Sequence, residues 1–329
     1  MFPNIRYAIS QVRANGTDAY WRQYRFSENI LRPIHQNIIG DSDGEVVREQ
    51  DWDSLIILDA CRADLFEEFI DLNQFDNYRR STSLASKTDE WTLKNWVERG
   101  ATAPGENGDV VYTSGNPVIS KVASKSFHYL DEPWSANSVY DDDLHAIRPE
   151  PISDSARRNI EEYPHKRHII HYVQPHMPLI AEPDMIYRTW WEPGSESPAN
   201  KKSKTRHIWA AFANNYETEE DVWHAYGRTL KLVFDEAIEL AHDLPGRTVI
   251  ASDHGNLLGE RPSVKPPSIP TPVKMYGHPG GLRFPELIEV PWAIVDSGDR
   301  PVIQDDGINS GSEVGGDLVE RRLADLGYI

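Results

Sequence analysis

The sequence contains little cysteine, little lysine and no long apolar run. Its 329 residues include one cysteine, Cys61, so no disulfide can form within the chain. It has 11 lysines against 23 arginines, and its 52 acidic residues give a net charge of −18. No basic stripe is visible, which argues against nucleic acid as a partner. This composition favours adaptation to high salt, where charge repulsion is screened, over an ordinary acidic protein.

Targeting and membrane signals are also missing from the sequence. The first residues do not combine a charged stretch, an apolar core and a cleavage site, as a signal peptide would. No apolar run approaches the roughly 18 residues that indicate a membrane-spanning helix. We therefore expect a cytoplasmic protein without a transmembrane segment. The spread of the candidate ligands favours one large domain, residues 51–329, after a peripheral segment, residues 1–50.

Short apolar runs alternate with amphipathic patterns along the chain. Strands are predicted at 54–58, 109–113, 167–173, 247–252 and 290–295. Helices are predicted at 62–71, 89–99, 153–162 and 219–243. This alternation predicts an α/β fold with a mainly parallel central sheet. Two stretches, 181–208 and 260–281, are rich in proline and in either serine or glycine, and we interpret them as loop insertions over the site.

Two acidic residues each follow a predicted strand. Asp59 comes directly after Ser54-Leu55-Ile56-Ile57-Leu58, and Asp253 follows Val249-Ile250-Ala251-Ser252 and precedes His254-Gly255. Ligands of open α/β sheets bind at the carboxyl ends of the strands, so these side chains indicate a hard-metal site. The alternatives are structural. Asp59 would then cap a helix starting near Arg62, and Asp253 would cap a tight turn.

Two further histidines lie in loops that suit a functional site. His176 is flanked by prolines in Gln174-Pro175-His176-Met177-Pro178, and His278 lies in the glycine-rich segment Gly277-His278-Pro279-Gly280. A lone histidine is more often a hydrogen-bonded structural residue than a ligand, and that alternative stays open for both. His171 falls within a predicted strand, and we expect it to be buried there.

Together these segments resemble the alkaline-phosphatase-like superfamily, which includes sulfatases, phosphodiesterases and phosphoglycerol transferases. The resemblance follows the Asp59 segment, the Pro175-His176 segment, the Asp253-His254-Gly255 segment and the Gly277-His278-Pro279 segment in order, over roughly residues 52–295. It is strongest toward sulfatase-like proteins of halophilic archaea. It implies a three-layer α/β/α sandwich with a mainly parallel central sheet.

The resemblance also implies individual roles. Asp59, Asp253 and His254 match metal ligands, and Thr88 matches a nucleophile that also contacts the metal. Ser86 is the alternative nucleophile, and the alternative for Thr88 is a helix cap followed by the acidic residues Asp89 and Glu90. His176 and His278 match residues that bind a second metal or the substrate oxygens.

Two departures from the family pattern narrow the chemistry. The sequence lacks the Cys-x-Pro-x-Arg motif of ordinary sulfatases. Tyr172 stands four residues before His176, where two-metal members have aspartate. One divalent ion, Mn²⁺, Mg²⁺ or Ca²⁺, is therefore expected, and Zn²⁺ if His176 and His278 form a second site.

These observations predict a metal-dependent hydrolase or transferase of phosphoesters with a threonine nucleophile. Its substrate would be a small molecule or a glycan- or lipid-linked phosphoester. The alternatives are a sulfate-ester hydrolase using the same site and a non-catalytic binding protein of the same fold.

Overall fold

A seven-stranded sheet forms the centre of the protein in a computed structural model, which describes residues 13, 15–39, 44–98, 107–187, 208–264, 269–309 and 314–328. The strands in chain order are β1 (Ser54–Leu58), β2 (Asn77–Thr82), β3 (Asn107–Ser114), β4 (Phe127–Asp131), β5 (Tyr140–Asp141), β6 (Ala146–Ile147), β7 (Arg167–Tyr172), β8 (Gly246–Ala251), β9 (Leu257–Glu260), β10 (Ser263–Val264), β11 (Ile269–Pro270), β12 (Met275–Gly277) and β13 (Glu289–Ser297).

The order of strands in the main sheet is β2-β13-β8-β1-β7-β3-β4. Strands β8, β1, β7, β3 and β4 run parallel, and β13 runs antiparallel to both of its neighbours. Three two-stranded ribbons pair β5 with β6, β9 with β12 and β10 with β11. The sheet is therefore mainly parallel, as the sequence predicts.

Helices surround the sheet. They are α1 (Ala19–Phe26), α2 (Ala63–Phe69), α3 (Thr88–Thr92), α4 (Val118–Ala123), α5 (Pro149–Glu162), α6 (Ile208–Ala213), α7 (Glu219–Asp243), α8 (Pro285–Ile288) and α9 (Gly316–Asp325). Helix α1 continues through the helical turns Ser27–Leu31, Arg32–Ile34 and His35–Ile39, and α3 continues through the π-helical turn Leu93–Val97. None of the described helices is long and apolar enough to cross a membrane.

Alternate residues of β1 pack into different cores. Ile56 and Leu58 join a core with α2, α5 and α7, whereas Leu55 and Ile57 join a second core with α3 and α4. Since successive side chains of a strand point to opposite faces, helices cover the sheet on both sides. The three-layer α/β/α sandwich is confirmed.

The start and the buried face of helix α7 follow from its local sequence. Thr218 caps it by accepting a hydrogen bond from the Asp221 N–H at 3.1 Å. Three acidic residues in the first turn complement the positive end of the helix dipole. Its apolar face is buried against the sheet, so this strongly periodic segment was predictable.

The predicted strands and helices are confirmed, with shifts of a few residues at their ends. The strands β2 and β4 of the main sheet and the ribbon strands β5, β6 and β9 were missed. The edge strand β2 gave no signal because its sequence, Asn77-Tyr78-Arg79-Arg80-Ser81-Thr82, is largely polar. Residues 260–281 contain the short strands β10, β11 and β12. Most of the predicted insertion 181–208 lies outside the described residues, since they omit 188–207.

Candidate active site

The site lies where the central strands end at their carboxyl edge. In the parallel pairing of β1 with β8, Ile57 is opposite Ala251. Asp59 and Asp253 each come two residues after this pair. The register of the sheet therefore brings together two carboxylates that are distant in the sequence, and both residues are fully buried.

The backbone after Asp59 is held in an unusual conformation. Ala60 has a φ of 60°, a left-handed value that costs a non-glycine residue free energy. Its N–H donates to Asp253 Oδ1 at 3.0 Å, and its carbonyl accepts a hydrogen bond from the Tyr226 hydroxyl. The next helix, α2, starts after Arg62 without a side-chain cap, so the capping alternative for Asp59 does not describe this loop.

The ring of His254 is oriented by a hydrogen bond to the backbone of the next residue. Its Nδ1 lies 2.8 Å from the Gly255 carbonyl, and because a carbonyl only accepts, Nδ1 carries the proton. In the neutral ring, Nε2 then has a free lone pair. A Cβ on Gly255 would lie 2.3 Å from the Glu286 carbonyl oxygen, so only glycine fits this close approach.

Thr88 begins helix α3 and points its hydroxyl at this cluster. Its Oγ1 is 3.2 Å from His254 Nε2. Lys87 occupies the cap position, so Thr88 does not serve as the helix cap. One turn along, Trp91 is fully buried against the His171 ring and fixes the helix. The alternative nucleophile, Ser86, instead uses its hydroxyl to hold Pro279 and Leu282 of the glycine-rich loop.

Asn116 adds an amide donor to the same site. It follows β3 and is fully buried, and its Nδ2 donates to Asp59 Oδ2 at 2.5 Å. Its Oδ1 accepts from the Val118 N–H at 2.9 Å, which fixes the orientation of the amide. The sequence contained only a weak signal for it, because Ser114 and Gly115 separate Asn116 from the predicted strand 109–113, whereas Asp59 follows its strand directly.

Tyr328 was also missed. It follows helix α9, and its hydroxyl lies 2.9 Å from Thr88 Oγ1, 3.0 Å from Asn116 Nδ2 and 3.2 Å from Asp59 Oδ2. Burial and the charges of Asp59 and Asp253 raise the pKa of Tyr328 well above its usual value, so the hydroxyl keeps its proton. Nothing in the local sequence indicated where this side chain would point.

These groups form a directed chain of hydrogen bonds. The Asn116 amide donates to the Tyr328 oxygen. The single Tyr328 proton is shared between Asp59 Oδ2, which can only accept, and Thr88 Oγ1. The Thr88 hydroxyl then donates to the free Nε2 of His254. In this arrangement the Thr88 proton points to the atom that a metal ion would need.

His176 and His278 face each other beside the cluster. Their Nε2 atoms are 2.9 Å apart. The His176 Nδ1–H donates to the Met177 carbonyl at 2.7 Å, so in the neutral ring its Nε2 accepts from His278. Burial lowers the pKa of His176 despite the opposing pull of Asp59. Tyr172, four residues earlier, points away and bonds Ser153 at 2.8 Å.

His171 is fully buried within β7, as expected. Its Nδ1 lies 2.7 Å from the Tyr112 hydroxyl, and its Nε2 lies 3.7 Å from Asp59 Oδ2. Burial opposes ionisation of Asp59, but the nearby imidazoles of His176, His171 and His254 outweigh it and lower the pKa of this carboxyl.

The cluster fits a divalent metal ion. One atom each from Asp59, Asp253 and His254 lie within 4.8 Å of one another, and within the described ranges this is the one such group. Asp59 Oδ1 and Asp253 Oδ2 are buried without a hydrogen-bond partner. Unpaired buried carboxylate oxygens are costly, and a cation would satisfy both. Two oxygen ligands and one nitrogen ligand suit Mn²⁺, Mg²⁺, Ca²⁺ or Zn²⁺.

A cavity of about 310 Å³ lies outside the cluster. The residues that line it include Lys87, Trp209, Tyr276, His278 and Tyr328. Helix α1, from the predicted peripheral segment, contributes Tyr20 and Tyr24. A substrate would reach the cluster through this cavity.

Comparisons with known proteins give structural neighbours only. A scan against protein-family models finds no match, and a search of curated proteins finds none either. Among solved structures, the soluble domain of lipooligosaccharide phosphoethanolamine transferase A from Neisseria meningitidis shares 12% identity over 74% of this chain and 75% of that chain, with a TM-score of 0.44. The periplasmic domain of phosphoethanolamine transferase EptC from Campylobacter jejuni shares 15% over 84% and 87%, with a TM-score of 0.43.

A protein in the alkaline phosphatase superfamily from Vibrio parahaemolyticus shares 13% identity over 87% of this chain and 68% of that chain, with a TM-score of 0.37. The name of this last neighbour is that of the superfamily that the sequence motifs resemble. Because the identities and TM-scores are this low, the chemistry of the site is argued only from the residues of this chain. The resemblance to halophilic archaeal proteins stays a prediction.

Proposed function

We propose that this protein is a metal-dependent enzyme that transfers or hydrolyses phosphoesters, with Thr88 as the nucleophile. One observation carries the proposal. The Thr88 hydroxyl lies 3.2 Å from His254 Nε2, at the edge of a buried Asp59–Asp253–His254 group whose carboxylate oxygens lack partners. A hydroxyl next to a metal site is a common form of activated nucleophile.

Asp59, Asp253 and His254 would hold the ion. A divalent cation there would act as a Lewis acid and lower the pKa of the adjacent hydroxyl. The protein contributes the geometry, because the Gly255 carbonyl fixes the His254 ring and the Ala60 N–H fixes one oxygen of Asp253. Such orientation of ligands by their neighbours raises metal affinity.

In the reaction, Thr88 would give up its hydroxyl proton to solvent and its Oγ1 would attack phosphorus. The bond from Oγ1 to phosphorus forms while the bond from phosphorus to the leaving oxygen breaks, and the leaving oxygen takes up a proton from solvent and departs as an alcohol. Water or an acceptor alcohol would then lose its proton and attack the phosphothreonine, and the released Thr88 oxygen regains a proton. The acceptor decides between hydrolysis and transfer.

Charge on the phosphoryl oxygens needs donors other than the metal ion. Asn116 supplies an oriented amide N–H, which is worth most in a site closed to water. His176 and His278 lie at the entrance to the cluster, and we propose that they contact the substrate oxygens. Tyr172, instead of an aspartate, stands four residues before His176 and bonds Ser153, which disfavours a second metal at these two histidines.

We further propose a small or a glycan- or lipid-linked phosphoester as the substrate and the cytoplasm as the location. The phosphoester is favoured over a sulfate ester because the sequence lacks the formylglycine motif of sulfatases. The Thr88 hydroxyl lies next to the Asp59–Asp253–His254 cluster, which fits a metal ion. This arrangement favours catalysis over a role in binding alone.

The test is the turnover of chromogenic phosphate monoesters, phosphate diesters and sulfate esters in high salt with Mn²⁺, Mg²⁺, Ca²⁺ or Zn²⁺. Wild type is compared with Thr88→Ala, Thr88→Ser and the matched control Ser86→Ala. We expect phosphoester turnover in wild type, Thr88→Ser and Ser86→Ala, and none in Thr88→Ala. Acid quenching followed by mass spectrometry should find phosphate on Thr88.

Equal turnover in wild type and Thr88→Ala would exclude Thr88 as the nucleophile. Loss of turnover in Ser86→Ala with normal turnover in Thr88→Ala would assign the reaction to Ser86. Preference for the sulfate ester would replace the proposed substrate class.

A further inference from the structure

The Tyr328 hydroxyl occupies the space in front of the nucleophile. It lies 2.9 Å from Thr88 Oγ1 and 3.0 Å from Asn116 Nδ2. Reacting atoms in a productive complex are about 3–3.5 Å apart. A phosphorus atom facing Thr88, with its oxygens near Asn116, would therefore need the volume that the Tyr328 hydroxyl fills.

A local backbone motif sets the position of Tyr328. The N–H of Gly327 bonds the Ala324 carbonyl at 3.0 Å, and the N–H of Tyr328 bonds the Leu323 carbonyl at 2.9 Å. Gly327 has a φ of 74°. This is the Schellman motif, in which a left-handed glycine ends a helix and reverses the chain. The turn directs Tyr328 from the end of α9 into the site.

Helix α9 is itself anchored away from the cluster. The Tyr140 hydroxyl donates to Asp325 at 2.7 Å, and the Arg322 guanidinium stacks over the Tyr140 ring. The Tyr328 ring stacks on His176 with centroids 5.1 Å apart and lies 5.8 Å from the Lys87 ammonium, and its hydroxyl contacts Thr88, Asn116 and Asp59. These contacts are separate from those that anchor α9, so rotation of the side chain would leave the helix anchored.

Withdrawal of this side chain would join two spaces. Leu326, Gly327 and Tyr328 line the cavity, and the Tyr328 hydroxyl contacts Asp59 and Thr88 of the cluster. With the ring rotated away, the cavity would continue to Thr88 and Asn116.

From this geometry we infer that Tyr328 is an autoinhibitory plug. Its hydroxyl holds the place of a phosphoryl oxygen between Thr88 and Asn116, and the substrate must displace it. The inference rests on the proposed function, since it assumes that a phosphoryl group binds at this place.

The experiment measures the binding of inorganic phosphate by calorimetry in saturating Mn²⁺, for wild type, Tyr328→Ala and Tyr328→Phe. The matched control is Tyr24→Ala, which removes a tyrosine from the wall of the same cavity without opening the space in front of Thr88. We expect Tyr328→Ala to bind phosphate at least ten-fold more tightly than wild type and Tyr24→Ala to match wild type. Tyr328→Phe keeps the ring and its packing, and we expect it to fall between them.

The inference is overturned if Tyr328→Ala and Tyr328→Phe bind phosphate no more tightly than wild type, if no protein binds it, or if Tyr24→Ala shows the same gain. Turnover is measured on the same proteins. Under the plug model, kcat/KM rises in Tyr328→Ala, whereas a fall in kcat with unchanged phosphate affinity would instead make Tyr328 a catalytic donor.

The two proposals fail in different ways. Tighter phosphate binding in Tyr328→Ala without turnover of any ester by any variant would support the plug and contradict the proposed reaction. Turnover in wild type that depends on Thr88, with no gain in Tyr328→Ala, would support the reaction and contradict the plug.

Discussion

The Nε2 atom of His254 lies 3.2 Å from Oγ1 of Thr88 and 3.5 Å from Oδ2 of Asp253. The Thr88 hydroxyl donates to the imidazole atom that a metal ion would bind, so a bound ion would compete with that proton for His254 Nε2. Metal binding and the protonation state of Thr88 would therefore be linked.

Metal removal should destabilise the protein and abolish its activity. We expect one Mn²⁺ per chain by calorimetry and a lower melting temperature after EDTA treatment, because an ion that binds only the folded state stabilises it. Asp253→Asn should weaken Mn²⁺ binding by at least 100-fold. Asp89→Asn, which removes a more exposed carboxylate paired with Lys87, is the control and should bind normally. Two ions per chain would contradict a single metal site at Asp59, Asp253 and His254.

Replacing Asn116 should lower kcat much more than it changes KM. The loss of an oriented donor to a developing oxyanion typically costs about 10²–10³ in kcat. We expect this loss for Asn116→Ala with a smaller change in KM, measured by steady-state kinetics. Asn159→Ala removes another buried asparagine, which bonds Thr113 and Asp131 at 2.8 Å. The Asn159→Ala variant should be less stable than wild type but should keep kcat within a few-fold. An equal fall of kcat in Asn116→Ala and Asn159→Ala would refute the role of Asn116.

Gly255→Ala should damage the site through packing. The added Cβ would lie 2.3 Å from the Glu286 carbonyl oxygen, so the loop that carries His254 must shift. Overpacking of this kind costs about 1–3 kcal/mol. We expect a loss of this size in the free energy of urea unfolding and weaker Mn²⁺ binding. Gly316→Ala, where an added Cβ meets nothing within 4 Å, is the control. It should leave Mn²⁺ binding unchanged and raise the free energy of unfolding by up to about 1 kcal/mol, since alanine has less freedom than glycine in the unfolded chain. An unchanged Gly255→Ala protein would show that the His254 loop accommodates the extra Cβ.

Stability should fall in mild acid because of His168. Burial lowers the pKa of His168 from 6.5 to about 4, and its Nε2–H donates to the Tyr163 carbonyl at 3.0 Å. In the unfolded chain, His168 takes up a proton below a pH of about 6.5. In the folded protein it takes up this proton only near pH 4. The contribution is therefore full above pH 6.5 and is lost as the pH falls toward 4.

The expected loss from His168 is about 2 kcal/mol between pH 8 and pH 5, from the linkage of protonation to folding. Urea unfolding of wild type and His168→Gln at both pH values measures it, because other titrating groups act equally in the two proteins. His168→Gln should lose correspondingly less stability than wild type. The same pH dependence in both proteins would mean that His168 is not the group responsible.

The sequence predicted those parts of the site that follow strong strand signals. Asp59 and Asp253 come directly after buried apolar runs, and parallel strands bring their carboxyl ends to one edge. Asn116 obeys the same rule after β3, but a lone asparagine before proline also indicates a plain turn. Its role becomes visible only when the amide is seen to reach Asp59.

The position of the Tyr328 side chain could not be predicted from the sequence, for a different reason. Gly327 after an amphipathic stretch does indicate the end of a helix. The direction of the next side chain depends on how α9 packs through Tyr140 and Arg322, which is a tertiary contact without a local pattern. The edge strand β2 was missed on similar grounds, since its polar residues gain their conformation by pairing with β13.

The register of β1 against β8 has a consequence for folding. The hydrogen bond from Ala60 to Asp253 joins positions 193 residues apart, and an ion shared by Asp59 and Asp253 would join the same two strands. Closing so long a loop removes conformational entropy from the chain, as a disulfide does in secreted proteins. In a protein with a single cysteine, the ion would thus act as a reversible cross-link at the middle of the sheet, formed only when the strands have paired in the correct register.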